Sequence, residues 1–428
     1  MKTIAIIAEF NPFHNGHLYL LNKAMEITHA DYSIALISGN FTQRGTPAIC
    51  DKFTRAYMAA VSGIDMCLEL PYVYATGSAY DFANGAVSIL NSLNSIDYLC
   101  FGAETDEVNI FDEISDIIVN EPKNYLIVLK SGLKNGLSFP SARQNAIVDF
   151  MFNEKSNDLK ITKEKLIDII SKPNNILAIE YISALKRTNS NIKPIIIKRE
   201  SSDYKETQLN GSRSSALAIR NAVKNIDISD LEHVLINEMP QRAFQIFIEK
   251  AKKEYPVSHS LLLPFLQAKC LDNIIHDSDI CDFNLSLINK LSKIDLCKSY
   301  DEIIKELKTK EITEARINRV LLHLIMGYSS KDRDDFYKYN TSFYASILSF
   351  RKSATNLIKS INNKSTIPVI TKKADFDKYL SSYPEISNLI AKKMWEFDLK
   401  ASELYRMIIY NNSGYIIPND YTFGIPIA

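Results

Sequence analysis

The sequence predicts an α/β protein: a parallel sheet with helices on both faces, interrupted by a helical insertion, then a mostly α domain and a small mixed C-terminal tail. Three observations carry this expectation. Near the N-terminus, uninterrupted apolar runs rich in β-branched residues alternate with segments of helical periodicity, which is how strands buried on both faces beneath helices read. Between about residues 105 and 174 the pattern turns helical and polar, with Lys and Glu well mixed. Beyond about residue 226, strand-like runs largely vanish. At 428 residues the chain is far longer than a usual domain of ~150 residues, so more than one core is expected.

Taken in order, TIAIIA at residues 3–8 reads as a strand, and LYLLNKAMEI at 18–27 places Leu18, Leu21 and Met25 on one helical face. Residues 32–38, 66–70 and 97–101 are further strands, with helices expected at 51–62 and 81–93. A strand at 193–198 and a helix at 215–224 close the first region, residues 1–225, which contains the insertion. Residues 226–340 are expected to be helical, with clear periodicity at 243–253, 301–308 and 314–325. Residues 341–428 form the tail, whose one short strand-like run is 367–371. In a parallel sheet of this kind ligands bind outside the carboxyl ends of the strands.

Lysine plus arginine equals aspartate plus glutamate at 50 each, so no global field draws nucleic acid or membrane, and any such partner must meet a local patch. Residues 341–373 offer one: Arg351, Lys352, Lys359, Lys364, Lys372 and Lys373 with no acidic residue, the composition of a phosphate-backbone footprint. Phe350 and Tyr344 could stack on unpaired bases but are better read as core. The six cysteines show neither a CxxC pair nor a histidine at metal spacing, which argues against a zinc site or disulfide framework and for a reducing cytosol. No run of about 18 apolar residues occurs, so a membrane span is not expected, and the opening run is too short for an export signal. His29, His233, His259, His276 and His323 lack companion motifs and receive no role.

The stretch AEFNPFHNGHLYLL poses the functional question. Asn-Gly is a strong hairpin signal, but a hairpin needs alternating strands on both sides. Here a buried run precedes HNGH and a helical pattern follows it. In a strand–turn–helix, Gly16 lies where backbone passes close to a ligand, and the first helical turn offers free N–H groups and a positive dipole end to an anion. The imidazoles of His14 and His17 can hydrogen-bond phosphate oxygens and, when protonated, offset charge growing on a pentavalent phosphorus. Such a site suits nucleotidyl transfer.

Phe10, Pro12, His14, Gly16 and His17 follow the F-x-P-x-H-x-G-H signature of HIGH-type nucleotidyltransferases. Further blocks extend the likeness: SGNFTQRGTPAICDKFTRA at 38–56, LELPYVYATGSA at 68–79, FGAE at 101–104, GLSFPSARQNA at 136–146, PNNILAIEY at 173–181, SSDYKE at 201–206 and TEARINRVLLHLIMG at 313–327. With these blocks the chain resembles the bacterial tRNA(Met) cytidine acetate ligase family. The resemblance implies a Rossmann-like sheet of the HIGH nucleotidyltransferase type and an ATP-dependent ligase. Such a ligase activates acetate as acetyl-adenylate, releasing pyrophosphate and then AMP, and acetylates N4 of the wobble cytidine, C34, of elongator tRNA(Met). Spacing alone would stop at a nucleotide-binding enzyme.

The resemblance also implies site residues. An ATP loop would comprise Ile7, Ala8, Glu9, Phe10, Asn11, Pro12, Phe13, His14, Asn15, Gly16, His17, Leu18, Tyr19 and Leu20, with His14 and His17 catalytic. Gly102, Asn174 or Asn175, and Arg199 would complete the pocket, although Asn175 could equally cap the helix after it. HIGH-type enzymes carry a second motif, S-[SA]-T-x-I-R, at a helix start. Here residues 215–220 read SALAIR, so Leu217 replaces the expected hydroxyl residue while Ser215 and Arg220 are kept. One phosphate contact is thereby lost, leaving Ser214, Ser215 and the helix-start amides for the β and γ phosphates. Arg44 is expected to meet substrate or tRNA phosphate, with Lys52 and Arg55 as weaker candidates; Arg351, Lys352, Lys359, Lys364 and Lys372 are expected to hold tRNA. Magnesium would be held mainly by phosphates, with no dedicated metal site. Two alternatives stay open: a small-molecule adenylyltransferase, which the HNGH loop would serve equally, and a non-catalytic nucleotide- or RNA-binding protein, which Leu217 keeps in view.

Overall fold

A computed structural model of the chain describes residues 1–154, 161–199, 209, 214–254, 257–271, 279–309, 311–381 and 383–428. The SSDYKE block and His276 lie outside the described residues. A seven-stranded sheet organises the molecule: β1 (Thr3–Ala8), β2 (Tyr32–Ser38), β3 (Met66–Leu70), β4 (Tyr98–Ala103), β5 (Lys193–Lys198), β6 (Ala345–Phe350) and β7 (Val369–Ile370), in the order β5-β4-β1-β2-β3-β6-β7. The first five strands are mutually parallel, and β1 pairs on one side with β2 and on the other with β4. Chain order therefore reverses at β1, which opens a crevice at its carboxyl end.

Alternate residues of the buried strands supply two cores, as the two-residue period of a strand requires. Ile4, Ile6, Ala35 and Ile37 pack under α1 (Asn15–Thr28), α2 (Lys52–Val61) and the helices Ala216–Asn225 and Gln241–Glu254. Ala5, Ile7, Ile34 and Leu36 face the opposite layer, which holds the helix Ala79–Ser92, the insertion helices and the long helix Glu385–Ser413. Residues 226–340 are divided between these layers: Phe247 joins the first core and Leu321 the second. Asp51 caps α2, its Oδ1 accepting from the Thr54 amide at 2.9 Å. No helix among the described residues is long and apolar enough to cross a membrane.

The tail corrects one expectation. ASILSF, not anticipated as a strand, is β6, which lies antiparallel to β3 and extends the sheet, while the expected run at 367–371 shortens to the two residues of β7. The serines that disguised β6 are buried and bonded: Ser349 Oγ donates to the Ala56 carbonyl at 2.8 Å, and Ser346 Oγ accepts from Lys373 Nζ at 2.7 Å. Tyr344 is core, as expected, its hydroxyl donating to Asp398 at 2.6 Å.

Three basic residues read as phosphate contacts are interior. Lys52 is fully buried, its Nζ donating to Glu69 at 2.7 Å, Asp420 at 2.6 Å and Ser402 at 2.9 Å. Burial pulls its pKa down, but Asp420 and Glu69 outweigh that and keep the ammonium charged. Lys373 donates to Glu69 at 3.1 Å and lies 4.4 Å from the centroid of the Trp395 ring. Arg55, also fully buried, donates to the carbonyls of Cys50, Ser38, Gly39 and Glu9. None of the three is available to a substrate.

Candidate active site

The crevice at the carboxyl ends of β1, β4 and β5 is a cavity of about 240 Å³. Arg55 shapes its floor from below: by binding carbonyls just after β1 and just after β2, one guanidinium fixes both loop starts. Arg220, retained from the second motif, donates to the Asn11 carbonyl at 2.7 Å, and Asn11 Oδ1 accepts from the Ile49 amide at 2.7 Å. Phe10 sits at φ 47°, a left-handed conformation uncommon for a non-glycine residue, held by packing against Phe13 and His17 with ring centroids 4.9 and 4.8 Å away.

Helix α1 starts at Asn15, three residues before the expected position, because the two histidines cap it. His14 is the N-cap; its Nδ1 accepts from the Gly16 amide at 3.0 Å, while His17 Nδ1 accepts from the His14 amide at 3.3 Å. This is a capping box made of imidazoles, with ring centroids 3.9 Å apart. A Cβ on Gly16 would lie 2.8 Å from His14 Cε1, so only glycine permits the arrangement. Both Nδ1 atoms accept, so each neutral ring carries its proton on Nε2 and is a hydrogen-bond donor there.

The electrostatics correct a second expectation. Burial, then the nearby Arg199 and Arg220, lowers the His14 pKa to about 3. Burial, then His14 and Arg199, lowers that of His17 well below the usual value. In the free protein both rings are neutral donors rather than cations, and Arg44, Lys198 and Arg199 bring the positive charge to the lining. An NMR titration of the free protein should show both rings neutral, with Nε2 protonated, from pH 8 down to about 5. kcat/KM for a triphosphate substrate should lack the inflection near 6.5 that an ordinary histidine would impose.

Gly102 and Arg199 face each other across β4 and β5: a Cβ on Gly102 would be 3.3 Å from Arg199 Cγ. The choice between the two asparagines falls to geometry. Asn174 lines the cleft, whereas Asn175 is fully buried, its Oδ1 accepting from the Glu104 amide at 2.8 Å and its Nδ2 donating to the Ile169 carbonyl at 2.9 Å. Glu104 in turn caps the helix Pro173–Arg187, accepting from the amides of Asn174 and Asn175.

Of the expected loop, Ile7, Ala8, Glu9, Phe10 and Asn11 line the cavity, as do His14, Gly16, His17, Tyr19 and Leu20. Pro12, Phe13 and Leu18 lie outside the lining, and Asn15 turns away, its Nδ2 donating to the Asn237 carbonyl at 2.8 Å. Ser215 also lies outside the lining as the N-cap of the helix Ala216–Asn225, its Oγ accepting from Ala218; its neighbour Ala216 reaches the cavity. Arg44 is exposed on the cavity rim, so it faces the same space as the histidines. Arg351, Lys352 and Lys364 are not brought to it. Because β6 runs antiparallel to β3, residues 351 and 352 emerge at the opposite end of the sheet, where Arg351 lies 3.7 Å from Asp65. The Lys364 carbonyl there accepts from Asn94. Lys359 and Lys372 are exposed and also lie outside the lining.

Sequence reasoning missed an apolar wall of Phe82, Phe101, Leu177 and Tyr181, with the rings of Phe101 and Tyr181 5.3 Å apart. A signal existed: Asn174, Leu177 and Tyr181 stand at helical spacing within PNNILAIEY and share one face.

A doubly wound parallel sheet whose first strand-to-helix turn presents paired imidazole donors and a helix amino end defines a HIGH-class nucleotidyl transferase. The HIGH Nucleotidyl Transferase family description matches residues 1–416. A relative from Acetivibrio thermocellus, called tRNA(Met) cytidine acetate ligase, is 37% identical over 421 residues, covering 96% of each chain. The solved structure of apo Thermotoga maritima TmcAL superposes with a TM-score of 0.91 at 29% identity, over 100% of this chain and 99% of that one. The form of that protein bound with alpha-thio ATP gives 0.89 at 28%, with the same coverage. The chain belongs to the tRNA(Met) cytidine acetate ligase family.

Proposed function

We propose that the protein activates acetate with ATP as acetyl-adenylate and acetylates N4 of the wobble cytidine, C34, of elongator tRNA(Met). The observation that carries this reading is the convergence on one cavity of two Nε2 donors, the amino end of α1 and Arg199. The names of the relatives, and the alpha-thio ATP held by the Thermotoga maritima protein, support it. In the first step an acetate oxygen attacks the α-phosphorus in line while pyrophosphate leaves. That demands alignment and donors for the equatorial oxygens more than a strong base, and buried neutral imidazoles supply such donors without reorganisation. Asn174, Leu177 and Tyr181, with Phe101, suit the nucleoside, one face polar and the rest apolar.

Among the described residues the lining carries a single carboxylate, Glu9, so magnesium accompanying the triphosphate would take its ligands chiefly from phosphate oxygens and water. The six cysteines are free thiols, which suits a reducing cytosol as the place of work. Incubation with ATP, labelled acetate and tRNA should yield AMP, pyrophosphate and acetylcytidine. An AMP-bearing small product formed without tRNA would establish the adenylyltransferase alternative instead.

Arg351, Lys352, Lys359, Lys364 and Lys372 are proposed to hold tRNA phosphates away from the reacting base, with Arg44 near it. Replacing Lys359, Lys364 and Lys372 by glutamine should weaken tRNA affinity and reduce the slope of log K against log salt by about 2 to 3, with ATP affinity unchanged. An unaltered slope would remove these lysines from the interface.

A further inference from the structure

We propose that the Glu9 carboxylate receives the cytidine amine and takes its proton when the acetyl group is transferred. This rests on the cavity being an acetyl-adenylate site with a cytidine acceptor, and it gives the second half-reaction its acceptor group.

Among the described lining residues Glu9 is the only carboxylate, set against Arg44, Lys198 and Arg199. A carboxylate there repels a triphosphate; it offsets the charge of the buried Arg220 guanidinium, and its free oxygen leaves room for a task other than binding phosphate. Its position provides that task. Glu9 directly follows β1, and its Oε1 accepts from the Gln43 amide at 2.9 Å, on the segment after β2. Gly102 and Arg199 lie on the β4 and β5 side. Since β1 stands between β2 and β4, the carboxylate is anchored on the flank of the cavity away from Arg199. Arg55 holds the Glu9 carbonyl, so the residue is fixed at both ends.

One oxygen remains for a ligand. Among the described residues no lysine or arginine comes within salt-bridge distance of Glu9, and Oε2 accepts no hydrogen bond. Glu104 shows the contrast: both its oxygens are engaged at a helix start, by Asn174 and Asn175. A carboxylate is the acceptor that matches the exocyclic amine of cytosine, and an ionised acceptor makes the stronger hydrogen bond.

The amine needs such help because its lone pair is delocalised into the ring. As N4 attacks the acetyl carbonyl carbon, the new C–N bond forms and the bond from that carbon to the AMP oxygen breaks, its electron pair leaving with AMP. The N4 proton passes to Glu9 and then to water, so no further reactant is required.

Glu9→Gln tests this, since the amide keeps the shape and an oxygen for Gln43 while removing the charge and the base. Hydroxylamine, which is nucleophilic without assistance, intercepts acetyl-adenylate as acetohydroxamate in the absence of tRNA. Single-turnover acetylation of tRNA reads the transfer on the same preparation, both rates being normalised to ATP-binding sites counted directly. The variant is expected to acetylate tRNA about 10²-fold or more slowly and to lose at least tenfold less in acetohydroxamate formation than in that transfer. Glu9→Asp, charged but shorter, should recover part of the transfer. Equal losses in both assays, or acetylation within threefold of the parent, would overturn the proposal. If the parent protein itself makes no acetohydroxamate from ATP and acetate, the reading under Proposed function falls, and this inference with it.

Discussion

Replacing both His14 and His17 by alanine is expected to lower acetate-dependent ATP–pyrophosphate exchange by about 10³-fold or more, since one preorganised donor to a developing oxyanion is worth about 10²–10³. Each ring also caps α1, and loss of a cap costs about 1 kcal/mol, so the double variant should unfold at somewhat lower denaturant. His14→Asn separates the two roles. Asparagine is a good N-cap and can still accept from the Gly16 amide, but it has no donor where Nε2 stood. Its stability should stay near that of the parent while exchange still falls about 10²-fold. Exchange restored by asparagine would mean that these rings serve the helix and not the phosphate.

The second large effect is on stability. Lys52→Met should reduce the free energy of unfolding by about 3–5 kcal/mol, the cost of leaving buried partners uncompensated. Among the described residues, Glu69 and Asp420 would then have only Lys373, at 3.1 and 4.0 Å, to offset two carboxylates. A native protein has about 5–15 kcal/mol in hand, so the variant should show a sharply lower urea midpoint at unchanged slope. The loss should reach the C-terminal segment, because Asp420 is one of its anchors and Phe423 stacks on Phe53 with centroids 4.3 Å apart. A loss under about 1 kcal/mol would show that the cluster relaxes or hydrates when the ammonium is removed.

Both experiments concern residues that the sequence presented in the same guise, as polar groups in ligand-end loops or on the helix after them. His14 and His17 could be placed because strand, turn and helix are local patterns. Their charge state could not, since it depends on burial and on Arg199 and Arg220, which arrive from elsewhere in the chain. Asn174 and Asn175 show the same limit one residue apart: helical phase directs one side chain to the cavity and the other to the Ile169 carbonyl.

The sequence by itself determined the strands β1 to β5, the helical segments between them and the strand–turn–helix that carries HNGH after β1, because apolar period, caps and turn residues act over a few positions. Only the tertiary structure decided which cations face solvent and which are locked inside. Lys52 meets Ser402 and Asp420 across separations of 350 and 368 residues, and Lys373 meets Glu69 across 304. It also decided that the last part of the chain returns as β6 to finish the sheet. Burial is a sum over neighbours distant in sequence, and no local pattern of residues contains that sum.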